Sequence, residues 1–172
     1  MKALLEPDHQ VRRAALGSVA GFLAFGFGSG LSRFAPGTMG TIVAIPFVFL
    51  LKPLPEPIYW ALLALSFLLG VYLCGKTAKQ LGQHDPGGIV FDEMVAYWLT
   101  ASFIPAEWPW LLAAFILFRL FDILKPWPIR QSETMFSGGL GIMVDDIIAA
   151  LYAMAVLAAF QFLLVPVFAE IP

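Results

Sequence analysis

DDIIAALYAMAVLAAFQFLLVPVFA, Asp145–Ala169, is the stretch that decides the fold class. Two adjacent carboxylates open it, and more than 20 residues follow with almost no polar side chain. A helix rises about 1.5 Å per residue, so this run reaches across a hydrocarbon core about 30 Å thick. Ile58–Gly75 is a second such run, 18 residues or about 27 Å as a helix. Met94–Phe121 is too long for one simple span. IPAEWPW interrupts it at Ile104–Trp110, and two prolines, a glutamate and two tryptophans suit a tight turn at a membrane–water interface. The expectation is a helical hairpin with arms near Glu93–Phe103 and Trp108–Ile123. Thr41–Leu51 is short and runs into LKPLPEP, which reads as another interfacial turn and pairs it with Ile58–Gly75. Ala14–Gly28 is moderately apolar and rich in glycine. It reads equally as a re-entrant or an interfacial segment.

No strand alternation, internal repeat or low-complexity tract interrupts this pattern. The expected fold is all-α: a polytopic membrane bundle of about four to six helices forming one domain over residues 1–172, with 1–20 a peripheral N-terminal segment. Composition points the same way. The chain is 60% hydrophobic and 13% charged, with a mean hydropathy of +0.84. Soluble domains run about 45–50% apolar and about 25% charged. A net charge of -2 leaves no broad basic surface for nucleic acid. The single cysteine, Cys74, sits in an apolar run and reads as a buried, inert thiol. The opening MKALLEPDHQVRRAALG lacks a short apolar core followed by a small-residue cleavage site, so no signal peptide is expected.

Charge orients the hairpins. Lys2, Arg12, Arg13, Arg33, Lys76, Lys79, Arg119, Lys125 and Arg130 fall on one side, and only Lys52 on the other. Basic residues favour the cytoplasmic face, so the richer side is expected there. Asp85, Asp92, Glu93, Asp122, Glu133, Asp145 and Asp146 share that side, several at junctions between polar loops and apolar helices. Charge near hydrocarbon is costly unless paired, wet or metal-bound, which makes these positions functional candidates.

Four stretches carry the candidates. In HDPGGIVFDEMVAYW, His84–Trp98, Asp92 and Glu93 open an apolar helix. Helix capping would explain carboxylates there. The functional reading is a pair of oxygen ligands for Mg²⁺ at headgroup depth. In FRLFDILKPWPIR, Phe118–Arg130, the spacing of Arg119 and Asp122 puts them on one helix face, with Lys125 just before Pro126. An intrahelical ion pair with a snorkelling lysine would explain them. The alternative gives Arg119 and Lys125 to phosphate oxygens and Asp122 to a metal. In SGGLGIMVDDIIAA, Ser137–Ala150, one carboxylate suffices for a cap, and a second beside it repels the first until a cation relieves the pair. Neighbours on a helix point about 100° apart, so one of Asp145 and Asp146 can ligate while the other caps or orients water. In GFGSGLSRFAPGTMGT, Gly26–Thr41, glycine-rich backbone can approach a phosphate, with Gly37 and Thr38 the expected contacts. Close helix packing explains the glycines as well. The stretch is neither a Walker loop, which needs GK[ST], nor a dinucleotide fingerprint, which needs a preceding strand. Acidic clusters converging with Arg and Lys on one face suit Mg²⁺-assisted phosphoryl chemistry.

In order and spacing, these four stretches together resemble the phosphatidylglycerophosphatase A family, over roughly Gly26 to Ala150. The resemblance implies a lipid phosphatase of the bacterial inner membrane. It would hydrolyse the terminal phosphate of phosphatidylglycerophosphate to give phosphatidylglycerol and phosphate, with Mg²⁺. It places the acidic site residues at Asp92, Glu93, Asp122, Asp145 and Asp146, with Arg119 and Lys125 inside the same motifs. The expected route is attack of a metal-activated water, with membrane lipids around the helices. An aspartyl-phosphate ranks lower because no DxDxT motif exists. A phosphohistidine route ranks lower still, because His9 and His84 are the only histidines. The lipid phosphotransferase pattern DGxxAR is absent too. A cation transporter would need polar residues at mid-membrane depth, and a non-catalytic scaffold has no need of paired carboxylates beside Arg and Lys. A bundle this thin is compatible with a homo-dimer.

Overall fold

The computed structural model describes residues 9–169, and every regular element among them is helical. In chain order these are α1 (His9–Leu16), α2 (Val19–Ala24), a single 3-10 turn (Ser29–Leu31), α3 (Pro36–Leu51), α4 (Glu56–Leu81), α5 (Phe91–Ala101), α6 (Trp108–Leu124), α7 (Ile129–Met135) and α8 (Gly138–Ala169). The all-α expectation holds, and the turn between α5 and α6 falls where IPAEWPW placed it.

Three boundaries differ from expectation for local reasons. Lys76–Leu81, expected as loop, continues α4, because this stretch is built mostly of good helix formers. The helix stops at Gly82, whose φ of 65° is open to glycine at little cost. There the N–H groups of Gly82 and Gln83 donate to the Lys79 and Ala78 carbonyls. α3 begins at Pro36, earlier than the apolar run, since proline is pre-set for a first helical position. α8 begins at Gly138, so Asp145 and Asp146 lie about two turns inside it and cannot cap it. The Ala14–Gly28 stretch is no single helix. It contains the end of α1, all of α2 and a reversal through Gly26, Phe27 and Gly28, all at positive φ. Ala14 and Ala15 of α1 are buried; residues 1–8 of the expected peripheral segment lie outside the described residues.

The long helices alternate in direction. Lys52 Nζ donates to the Ser102 carbonyl at 2.6 Å, which joins the α3–α4 and α5–α6 turns at one end of the molecule. The starts of α3, α5 and α8 and the ends of α4 and α6 therefore gather at the other. Glycine allows α4 and α8 to cross closely: a Cβ on Gly139 would overlap the Val71 carbonyl oxygen, and one on Gly75 would lie 2.9 Å from the Gly139 nitrogen. Polar tips of the buried aromatics hold other helices together. Trp98 Nε1 donates to the Ala44 carbonyl at 3.0 Å, and Tyr97 Oη to that of Leu111 at 2.9 Å. Tyr59 Oη donates at 2.6 Å to the Trp98 carbonyl in the last turn of α5, where intrahelical partners run out.

Two helices are long and apolar enough to cross a membrane, Glu56–Leu81 and Gly138–Phe162. Only 22% of the apolar window of α4 is buried, against 44% for α8. The core helix of a soluble protein would be mostly hidden. Here Leu65, Leu68, Leu112, Ile116, Leu151 and Phe160 all point outward, an apolar coat that suits lipid.

Candidate active site

The polar end is assembled by four helices. α5 enters it with Asp92 and Glu93 in its first turn, where carboxylates favour the helix dipole. The approach to α5 is clamped. The Val90 N–H donates to the Ala24 carbonyl at 2.9 Å, and Gly30 lies so close to the Gly88 carbonyl that a Cβ would overlap it. Asp146 of α8 completes a trio: one oxygen from each of Asp92, Glu93 and Asp146 lies within 4.8 Å of the others. Asp92 Oδ1 and Glu93 Oε2 are buried without any hydrogen-bond partner. Asp122 of α6 lies against Asp146 at the edge of the trio.

The basic residues sit among these acids. Arg119 Nη1 is 2.7 Å from Asp122 Oδ2 and 3.5 Å from Glu93 Oε1. Its Nε is buried and unpartnered. Lys125 caps the end of α6 in the left-handed region at φ 43°, and its N–H donates to the Phe121 carbonyl. Its Nζ contacts Asp145 Oδ2 at 2.8 Å. The adjacent aspartates therefore diverge: Asp146 joins the trio, and Asp145 pairs with a lysine. Arg119 and Lys125, expected as phosphate ligands, already contact carboxylates in this structure.

The glycine-rich stretch reaches the same place. Gly37 packs so closely on Glu93 Oε1 that a Cβ would overlap it, and Arg119 Nη1 would be 2.9 Å away. The first N–H groups of α3, at Gly37 and Thr38, have no acceptor within the helix by construction. All four motifs thus meet, although the tight ligand group contains only three of the five expected carboxylates. Asp85, one of the acidic candidates of this face, and His84, which read more readily as a polar loop residue than as part of the site, also border it. His84 and Asp85 line a cavity of about 550 Å³ that extends to Asp145. Their signal was position, directly before the PGG turn that leads into α5.

The trio's chemistry fits a hard divalent cation. It contains oxygen donors alone, as Mg²⁺ prefers, with neither cysteine nor histidine to favour zinc. One guanidinium serves Glu93 and Asp122, and Asp92 and Asp146 add further carboxylates, so the repulsion is only partly offset. The two orphaned oxygens are where a cation would complete the balance.

Fold and site together define a class: an apolar helical protein whose polar end gathers carboxylates that could hold a metal ion beside cationic side chains. The sequence model described as Phosphatidylglycerophosphatase A matches residues 22–161, and the chain belongs to that family. It is 48% identical over 136 residues to the phosphatidylglycerophosphatase A of Escherichia coli K12, covering 78% of this chain and 79% of that one. To the phosphatidylglycerophosphatase A of Haemophilus influenzae it is 46% identical over 157 residues, 90% and 96% of the two chains. A Bacteroides thetaiotaomicron protein, 41% identical over 141 residues (77% and 87%), is provisionally named a phosphatidylinositol-3-phosphatase. No solved structure matches the chain.

Proposed function

We propose that this protein is a phosphatidylglycerophosphatase, removing the terminal phosphate of phosphatidylglycerophosphate to leave phosphatidylglycerol and inorganic phosphate. The observation that carries this reading is the family match across residues 22–161, which contains all four motifs gathered at the polar end. Asp92, Glu93 and Asp146 would hold Mg²⁺, with Asp122 beside them. When bound, the ion would polarise the phosphoryl group and acidify a water. Arg119 supplies a fixed guanidinium next to Glu93, where charge on the equatorial phosphoryl oxygens needs a partner. Gly37 and Thr38 offer backbone N–H groups on the same flank. Lys125 holds Asp145 by a direct ion pair, which leaves Asp146 to the metal.

The protein resides in the bacterial inner membrane as a multi-pass bundle, with its polar end in the cytoplasmic headgroup layer. The apolar coat, the two long helices and the crowding of basic residues at one end support that placement. The acyl tails of the substrate remain in the bilayer while its headgroup meets the carboxylates. A homo-dimer is compatible with so thin a bundle.

Phosphate release from phosphatidylglycerophosphate in mixed micelles tests the reading, with the purified full chain, Mg²⁺ or EDTA, and the variants Asp92→Asn and Asp146→Asn. Release with Mg²⁺, abolished by EDTA and reduced at least about 100-fold in both variants, is expected. Hydrolysis of phosphatidylinositol 3-phosphate with no release from phosphatidylglycerophosphate would overturn the substrate assignment.

A further inference from the structure

The cavity beside the carboxylate trio has a shape and lining that the hydrolytic site does not use. It is about 550 Å³, within the size range of small-molecule pockets. One wall is His84 and Asp85, from the loop before α5; the other is Ser137, just before α8, with Asp145 from within that helix. Ser137 to Asp145 is about two helical turns, or roughly 12 Å. The cavity lies near the trio, since Asp85 interacts electrostatically with Glu93, and Asp145 with Asp122. Phe136 and Ile142 add apolar lining beside these polar groups.

The lining selects among ligand chemistries. Asp145 keeps only 8% of its side chain exposed, and its Oδ1 is buried without a hydrogen-bond partner. With Asp85 on the wall and the Lys125 ammonium paired to Asp145 Oδ2, the cavity offers carboxylate oxygens that accept well from a hydroxyl, with one cation held beside them. His84 and Ser137 can both donate and accept. We propose that this cavity is a subsite for the hydroxylated three-carbon bridge of the headgroup, and that His84 and Ser137 determine specificity for a phosphate carried on a polyol. The inference rests on the hydrolytic reading above and deepens it. The single free hydroxyl of the bridge meets the cavity lining while the terminal phosphate sits at the trio.

Competitive inhibition of phosphatidylglycerophosphate hydrolysis tests this with three soluble probes: glycerol 1-phosphate, n-propyl phosphate, which lacks the hydroxyls, and inorganic phosphate. The wild type should prefer glycerol 1-phosphate over propyl phosphate about 3- to 10-fold, the value of one or two net hydrogen bonds. In His84→Ala and Ser137→Ala that preference should fall toward unity, while inhibition by inorganic phosphate persists. A wild-type preference near unity, or one that survives in both variants, overturns the proposal. So does loss of inorganic-phosphate inhibition in both, since these residues would then support the trio rather than the bridge. If the wild type releases no phosphate at all, the hydrolytic reading itself fails, an outcome distinct from hydrolysis without hydroxyl preference.

Discussion

Gly37→Ala separates the demands of the helix from those of the site. Gly37 is in the first turn of α3, and alanine is the better helix former by up to about 1 kcal/mol. On propensity alone the substitution would be neutral or stabilising. The added methyl, however, would overlap Glu93 Oε1 and come within 3.0 Å of Glu93 Cδ and 2.9 Å of Arg119 Nη1. Restoring ordinary contact requires the Glu93 carboxylate to move by about 1 Å. That oxygen is also the one Arg119 meets at 3.5 Å, so the arginine is disturbed with it. A misplacement of this size at a reacting centre costs on the order of 100-fold in rate. The expected result is a 10- to 100-fold drop in kcat with melting temperature unchanged or slightly higher. Phosphate-release kinetics and thermal unfolding in detergent read the two quantities separately. Wild-type kcat in Gly37→Ala would refute the placement of α3 against Glu93.

Arg119→Lys keeps the charge but loses the planar fork that reaches both Glu93 and Asp122. kcat should fall about 100-fold with KM little changed, and a shift confined to KM would count against transition-state stabilisation by this residue. Gly139→Ala puts a methyl into the Val71 carbonyl and within 2.7 Å of the Gly75 nitrogen, both backbone atoms that cannot swing aside. The α4–α8 crossing must open, at a cost of about 1–3 kcal/mol visible as a lower melting temperature. An unchanged melting temperature would refute the close crossing.

The legible parts of this fold were those set by solvent and by turns. Apolar run length located α4, α6 and α8 because lipid-facing and buried positions are both apolar, so the pattern survives without knowing the partners. IPAEWPW located the α5–α6 turn because proline and interfacial aromatics act locally. Helix ends in polar sequence were harder. Lys76–Leu81 and Gly138–Val144 read as loop because polarity and glycine resemble loop composition, whereas good helix formers carry the first on as helix and the second packs closely on α4. Gly139 is there for the close approach of α4, which only the tertiary packing reveals. At the site, the convergence of Asp92, Glu93 and Asp146 followed from charge placement. The division of labour did not: whether Asp145 or Asp146 joins the trio depends on the rotation of α8 about its axis, and on Lys125 reaching across from α6. His84 read more readily as a polar loop residue because loop residues carry no periodicity to show which way they face.

Whether Asp92, Glu93 and Asp146 share one divalent ion is tested most directly by titrating the purified protein with Mn²⁺, a spectroscopic stand-in for Mg²⁺, followed by electron paramagnetic resonance. One tight site is expected in the wild type. It should weaken at least about 10-fold in Asp92→Asn, Glu93→Gln and Asp146→Asn alike, a loss seen even for residues that merely support metal ligands. Mn²⁺ binding with wild-type affinity in all three variants would contradict the shared site.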